Sequence, residues 1–196
     1  MKTLVLFDFD GTITRKDTLF VFIKYYSGER KYLTGMVILS PILLLRLLKI
    51  ISSQQAKEVV LTWFFKGEDV DKFDKICADF SSKIDQLVRP KALAELKRYK
   101  DNDATLAVVT ASADNWVAPW CNKNGIVCLA TNLEVVKKKL TGKIDGKNCN
   151  GVYKKNKILS YFNLNSFDQI IAYGDTVGDL DMLALAHTRF YKPFRT

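Results

Sequence analysis

Histidine is nearly absent from this chain: only His187 occurs, which removes most imidazole-activated nucleophiles and every His-rich metal site from consideration. Cysteine is almost as scarce. Cys77, Cys121, Cys128 and Cys149 form no Cys-x-x-Cys pair, so neither a zinc site nor a disulfide framework is indicated, and a reducing compartment fits. With four prolines and no repeat or low-complexity linker, the chain is not of the disordered or arrayed kind. At the N-terminus, Leu4-Val5-Leu6-Phe7 is too short an apolar run for the core of a secretory signal, which points to the cytoplasm. Chemistry must rest on carboxylates, lysines and hydroxyls.

What is present is a 196-residue chain, 48% hydrophobic and 26% charged, enough for one domain with a smaller module inserted. Thr3 to Phe7 is a β-prone apolar run that stops at acidic residues and a glycine, the pattern of a buried parallel strand. Leu106 to Val109, ending at Thr110, and Gln169 to Tyr173, ending at Gly174-Asp175, repeat it. Val127 to Ala130 follows a helical stretch from Asp114 to Lys123. This alternation predicts a doubly wound, Rossmann-like parallel α/β sheet. Between the first two strands the apolar residues recur at helical spacing, so 14–89 is expected to be an all-helical cap inserted into a core of 1–13 and 90–196. Leu133 to Asp145 is expected to form a short hairpin.

The Gly35–Ile51 segment is unusually apolar and is divided by Pro41. Arg46 and Lys49, with a length short of about 20 apolar residues, make it a poor membrane span. The core of a cap helix is the first reading and an interfacial, lipid-facing helix the second.

Asp8-Phe9-Asp10-Gly11-Thr12 directly follows the first strand, where open α/β sheets bind ligands. Two carboxylates two residues apart can share one crevice, one attacking phosphorus and the other handling the proton of the leaving oxygen. Gly11 lets the backbone turn sharply beside a phosphate. Because close carboxylates repel, a hard cation is expected among them, and magnesium suits an all-oxygen set better than zinc. The bland alternative is an acidic turn. Asp175, in Gly174-Asp175-Thr176-Val177-Gly178-Asp179-Leu180-Asp181, adds a carboxylate at the same edge. A calcium loop is disfavoured there, since Val177 takes the place of an alternating oxygen ligand. Asp181 reads as a solvated or capping side chain, and Asp179 stands between the two. At the second strand end, Thr110 and the amides of Ala111 and its neighbours offer an anion site, the alternative being that Thr110 or Ser112 caps the next helix. Among Lys154, Lys155 and Lys157, Lys154 is the first choice for the positive charge on a transferring phosphoryl group.

Together these segments resemble the haloacid dehalogenase superfamily, in its phosphoserine-phosphatase-like branch with a helical cap. Leu133-Glu134-Val135, Leu140-Thr141-Gly142 and Cys149-x-Gly151-x-x-Lys154 are similar to the stretch before that branch's lysine, which favours Lys154 over Lys157. The resemblance implies a magnesium-dependent phosphomonoesterase working through an aspartyl-phosphate. Asp8 would be the nucleophile, Asp10 the acid/base, and Thr110, Ala111 and Lys154 the phosphate contacts. Asp8, the backbone carbonyl of Asp10 and Asp175 would hold Mg2+, supported by Asp179, Gly11 and Thr12. Two departures are a threonine at 110 where many relatives have serine, and a short tail after Asp181.

The net charge of +9 favours anionic partners. A small phosphorylated metabolite is the expected substrate, with Arg15, Lys16 and Asp17 as polar cap residues near the mouth. A phospholipid head-group phosphate at an anionic membrane surface is the alternative, since the cap composition resembles that of bacterial phosphatidylglycerophosphate phosphatases of the superfamily. That alternative would place the protein peripherally at the inner face of the membrane. From another class, a non-catalytic nucleic-acid-binding module fits the basic charge but finds no motif, because the lysines are not interleaved with aromatics; no nucleic acid is expected. Oligomeric state is not legible in these residues.

Overall fold

The computed structural model describes residues 1–195. In chain order its main elements are β1 (Thr3–Phe7), α1 (Thr18–Leu47), α2 (Ser53–Phe65), α3 (Val70–Asp85), α4 (Pro90–Lys100), β2 (Thr105–Ala113), α5 (Asp114–Lys123), β3 (Val127–Thr131), β4 (Leu133–Val136), β5 (Lys139–Ile144), α6 (Val152–Tyr161), β6 (Gln169–Gly174), α7 (Leu180–Leu183) and β7 (Thr188–Tyr191). Five strands form one all-parallel sheet in the order β3-β2-β1-β6-β7, the α/β class expected. Its central strand explains why the pattern is a run and not an alternation. Leu4 and Leu6 pack in one cluster with Ile158 of α6 and Met182 of α7. Val5 and Phe7 pack in the other with Ala92 and Leu96 of α4 and Trp120 of α5. Both faces are covered, so the four buried residues Leu4 to Phe7 are all apolar.

Strand β2 does not end at Thr110 as its sequence suggests. It continues to Ala113, which pairs with Thr131, but its ladder with β3 shifts register between Val109 and Ala113. Such an irregularity re-aims side chains, and here it falls on Thr110-Ala111-Ser112.

Helices α1, α2 and α3 occupy the stretch between β1 and α4. Their starts are written locally: Asp17 accepts a hydrogen bond from the Leu19 amide, Ser52 and Gln55 form a reciprocal capping box, and Asp69 accepts from the Lys72 amide. Pro41 does not divide α1. The carbonyl of Val37, which a proline cannot serve, accepts instead from the Ser40 hydroxyl at 2.8 Å, and the helix runs on to Leu47. The break falls earlier, at Gly28, whose φ of 76° no helix accommodates. Phe22 fastens α1 to the rest: it stacks on Trp116 of α5 at 5.0 Å and meets Phe73 and Phe80 of α3 edge-on. Asp85 of α3 accepts hydrogen bonds from Trp120 and Lys123 of α5. Among the described residues no helix is long and apolar enough to cross a membrane.

The hairpin forms as β4 and β5, turning through Lys137 and Lys138 at positive φ. It stands apart from the main sheet and packs on α2. Gly142 of β5 lies so close that a Cβ there would sit 2.4 Å from the Thr62 Cα. The tail after Asp181 supplies a strand despite its shortness, and Phe190 and Phe194 stack on Tyr173 at 4.7 and 5.4 Å.

Candidate active site

The alternation of β1 decides where the first acidic residue points. Asp8 has the parity of Leu4 and Leu6, the face covered by α6, and α6 carries Lys154 in its first turn. The Lys154 ammonium, 1% exposed, donates to Asp8 Oδ1 at 2.5 Å and to Asp179 Oδ1 at 2.7 Å. Burial pushes the Asp8 carboxyl up to about 7, against the pull of Lys154 and with the help of Asp179. Burial would lower the Lys154 pKa, but Asp8 and Asp179 outweigh it and hold the ammonium above its ordinary value. Asp8 Oδ1 is thereby occupied, while no hydrogen bond from a described residue reaches Oδ2. Lys157 turns elsewhere, to the Ala130 carbonyl.

Asp10 is oriented from two sides. The Thr18 amide at the start of α1 donates to its Oδ1 at 2.7 Å, and the Ser112 hydroxyl to its Oδ2 at 2.6 Å. Behind them the Thr18 and Ser112 hydroxyls lie 3.1 Å apart, and Trp116 Nε1 donates to Thr18 Oγ1 at 3.3 Å. Neither Thr110 nor Ser112 caps α5, which begins without a side-chain cap; Thr110 Oγ1 instead accepts from the Ser112 amide at 3.0 Å.

The late Gly-Asp turn closes the acidic cluster. One carboxylate oxygen from each of Asp8, Asp175 and Asp179 lies within 4.8 Å of the others. Asp179 Oδ2 accepts from the Asp175 and Thr176 amides and from the Thr176 hydroxyl. Burial alone would raise its pKa, yet Lys154 and these donors hold it below the usual carboxylate value. Thr12 donates to Asp175 Oδ1 at 3.2 Å and Arg195 to Asp175 Oδ2. This buried, anionic, all-oxygen set fits a hard divalent cation such as Mg2+, and a cation beside Asp8 would oppose the rise that burial imposes on it. Of the three carboxylates Asp179 is the most fully committed to protein donors, which suits support better than ligation. Asp181 stays part-exposed in the first turn of α7, caps nothing, and lies outside the cluster.

Gly11 is required by position. Its φ is +88°, and a Cβ would fall 2.6 Å from Asp175 Oδ2. Gly11→Ala is expected to lower stability by about 1–2 kcal/mol from the left-handed backbone alone, read as a lower urea midpoint. An unchanged midpoint would mean that the turn relaxes.

Above the carboxylates opens a cavity of about 380 Å³, floored by Asp8, Asp10, Thr110, Ala111 and Lys154 and walled by Leu19, Phe20, Leu43, Ala56 and Val60 from the helices. Asp17, Arg46 and Lys57 bring charge to that wall. Arg15 turns away to the Gln86 carbonyl, and neither it nor Lys16 lines the cavity. Lys57 of α2 donates to the Ala111 carbonyl at 2.5 Å and to Asn148 Oδ1 at 3.2 Å, tying the helices to the sheet edge. Burial lowers its pKa, partly countered by Asp17 and Asp10. Lys57, Thr18, Arg46, Asn148 and Arg195 carry no motif signal in the sequence.

The haloacid dehalogenase-like hydrolase model matches residues 5–184. Protein CicA of Caulobacter vibrioides is 32% identical over 195 residues, covering 98% of this chain and 86% of its own. A Bordetella pertussis Tohama I protein of unknown function superposes with a TM-score of 0.81 at 18% identity, over 96% of this chain and 89% of that one. A phospho-aspartyl intermediate analogue of phosphoserine phosphatase superposes with a TM-score of 0.69 at 21% identity, over 96% and 85%. At those identities the two structural likenesses are likenesses of fold.

Proposed function

From the premise that the chain belongs to the haloacid dehalogenase-like hydrolase family, we propose that it hydrolyses phosphomonoesters through a covalent phosphate on Asp8. The observation that carries this is the Asp8 carboxylate at the cavity floor, with Oδ1 pinned by Lys154 and Oδ2 free. The named phospho-aspartyl state of phosphoserine phosphatase supports it as an analogy of fold.

In the first step Asp8 Oδ2 attacks phosphorus, the bond from phosphorus to the leaving oxygen breaks, and Asp10 gives that oxygen a proton. Thr110 Oγ1, the amides beside Ala111 and the Lys154 ammonium bind and orient the phosphate oxygens. In the second step Asp10, now ionised, takes a proton from water as it attacks phosphorus, and the bond from phosphorus to Asp8 breaks to release phosphate. Thr18 and Ser112 fix which way Asp10 faces in both steps, each oxygen keeping a lone pair free. Asp8, Asp175 and the backbone carbonyl of Asp10 would hold Mg2+, supported by Asp179 and Thr12; when bound, it supplies charge neutralisation to the phosphate. Helices α1 to α3 act as the cap that excludes bulk water.

Chelation is expected to cut hydrolysis of a generic aryl phosphate by at least about 100-fold, with Mg2+ restoring it. Acid-quenched turnover should leave phosphate on the Asp8 peptide by mass spectrometry. Full activity in chelator, or no phosphopeptide under burst conditions, would remove the mechanism.

The substrate we infer is a small phosphorylated metabolite. A cavity of about 380 Å³ is at the small end of ligand sites, roughly 300–1,000 Å³. A phospholipid head-group phosphate is the second reading, favoured by the apolar wall and by the outer surface of α1.

A further inference from the structure

The chain sets two cations on the acidic cluster and holds them in opposite ways. The Lys154 ammonium, between Asp8 and Asp179, is 1% exposed and enclosed by the fold. Arg195 reaches Asp175 Oδ2 from outside: its side chain is 49% exposed, whereas that of Asp175 is 2%. Strand β7 delivers it there. The Lys192 amide donates to the Gly174 carbonyl, and the buried Phe194 ring stacks on Tyr173, which leaves Arg195 beside the Gly174-Asp175 turn. Arg195 pairs with no other carboxylate of a described residue, and it does not line the substrate cavity. Its chemistry is therefore with the acidic cluster and not with the phosphate.

Charge and space decide what such a contact does. The three ionised carboxylates Asp8, Asp175 and Asp179, set against the one ammonium of Lys154, leave an excess of two negative charges, which a divalent cation cancels. A guanidinium still seated on Asp175 would then make the buried cluster positive, with two cations repelling each other across one carboxylate. The Thr12 hydroxyl on Asp175 Oδ1 is neutral and can stay. The carboxylate has no room to retreat toward Gly11, where even a methyl group would meet Oδ2 at 2.6 Å. Of the groups around Asp175, Arg195 is the one that can swing into water at little cost, since half of its side chain is solvated already.

We propose that Arg195 is a displaceable counter-charge: it neutralises Asp175 until a divalent cation enters the cluster, and guanidinium and cation compete for that carboxylate. This rests on the cation site of the phosphomonoesterase reading and gives that site a built-in brake on cation affinity. Lys154 keeps its place when the cation binds, because it is buried on two carboxylates, and Phe194 keeps the tail seated on Tyr173 while the arginine side chain turns outward. The contact stabilises the folded protein in the absence of the cation and becomes surplus in its presence.

The test titrates the full chain, first stripped of metal, with MgCl2 alone in a calorimeter, so that no turnover enters it. Arg195→Gln is expected to bind Mg2+ at least about fivefold more tightly than the wild type, the gain that follows from releasing a charge-assisted hydrogen bond beforehand. Urea midpoints separate competition from a plain structural role. In chelator Arg195→Gln should unfold at a lower urea concentration than the wild type, and in saturating Mg2+ the two midpoints should coincide. A purely structural arginine would leave the variant weaker in both. Equal or weaker Mg2+ binding by Arg195→Gln would overturn the proposal and leave the cation site standing. Absence of Mg2+ binding in both proteins would overturn the proposal and the cation site together, so the two failures are distinguishable.

Discussion

Asp8→Asn is expected to lower kcat by at least about 10⁴-fold, to the limit of detection, while the protein keeps its fold. An amide oxygen of the same size cannot displace an alkoxide from phosphorus, and no other carboxylate can take over the attack. Asp10 is held by Thr18 and Ser112, Asp179 by three donors and Lys154, and Asp175 by Thr12 and Arg195. The fold should survive because burial already works against the charged form of Asp8, and Lys154 keeps Asp179 as its counter-charge. Asp10→Asn should be milder, about 10²–10⁴-fold, since it removes proton transfer and not the bond-forming atom. The ordering of the two variants in steady-state turnover, with equal urea midpoints, is the measurement. An Asp8→Asn protein that retains activity, or loses no more than Asp10→Asn, would refute covalent catalysis at this position.

The sheet was legible because its strands are buried on both faces. Thr3–Phe7 and Gln169–Gly174 lie side by side in the centre and show uninterrupted apolar runs that end in acid. The segment containing Thr110 misled for the opposite reason. Its last residues are small and polar, as in a turn, but they remain within a strand whose ladder is locally shifted. Pro41 misled in a similar way, since a proline interrupts a helix only where the orphaned carbonyl finds no substitute, and the Ser40 hydroxyl supplies one. Among the site residues, carboxylates announce themselves by spacing, whereas the groups that orient them do not. Ser112 reaches Asp10 from 102 positions away and Lys57 reaches Asn148 from 91 positions away. Contacts of that separation leave no local periodicity to read.

Lys154→Met puts the largest expected change on stability. The lysine is buried with both neighbouring carboxylates, and its Nζ answers Asp8 and Asp179 together. A thioether of similar length fills the space and brings no charge, leaving two buried carboxylates facing each other. Removing one partner of a buried ion pair typically costs about 3–5 kcal/mol, a large share of the roughly 5–15 kcal/mol that holds a domain folded. Packing loss would give a different signature. If uncompensated charge is the cause, adding Asp8→Asn to Lys154→Met should recover stability relative to Lys154→Met alone, a non-additivity that a double-mutant cycle in urea reads directly. Mg2+ should then raise the unfolding midpoint of Lys154→Met more than that of the wild type, because a cation among Asp8, Asp175 and Asp179 replaces the missing charge in the native state only. A Lys154→Met protein as stable as the wild type, or one that Asp8→Asn makes weaker still, would show that these carboxylates do not depend on the ammonium between them.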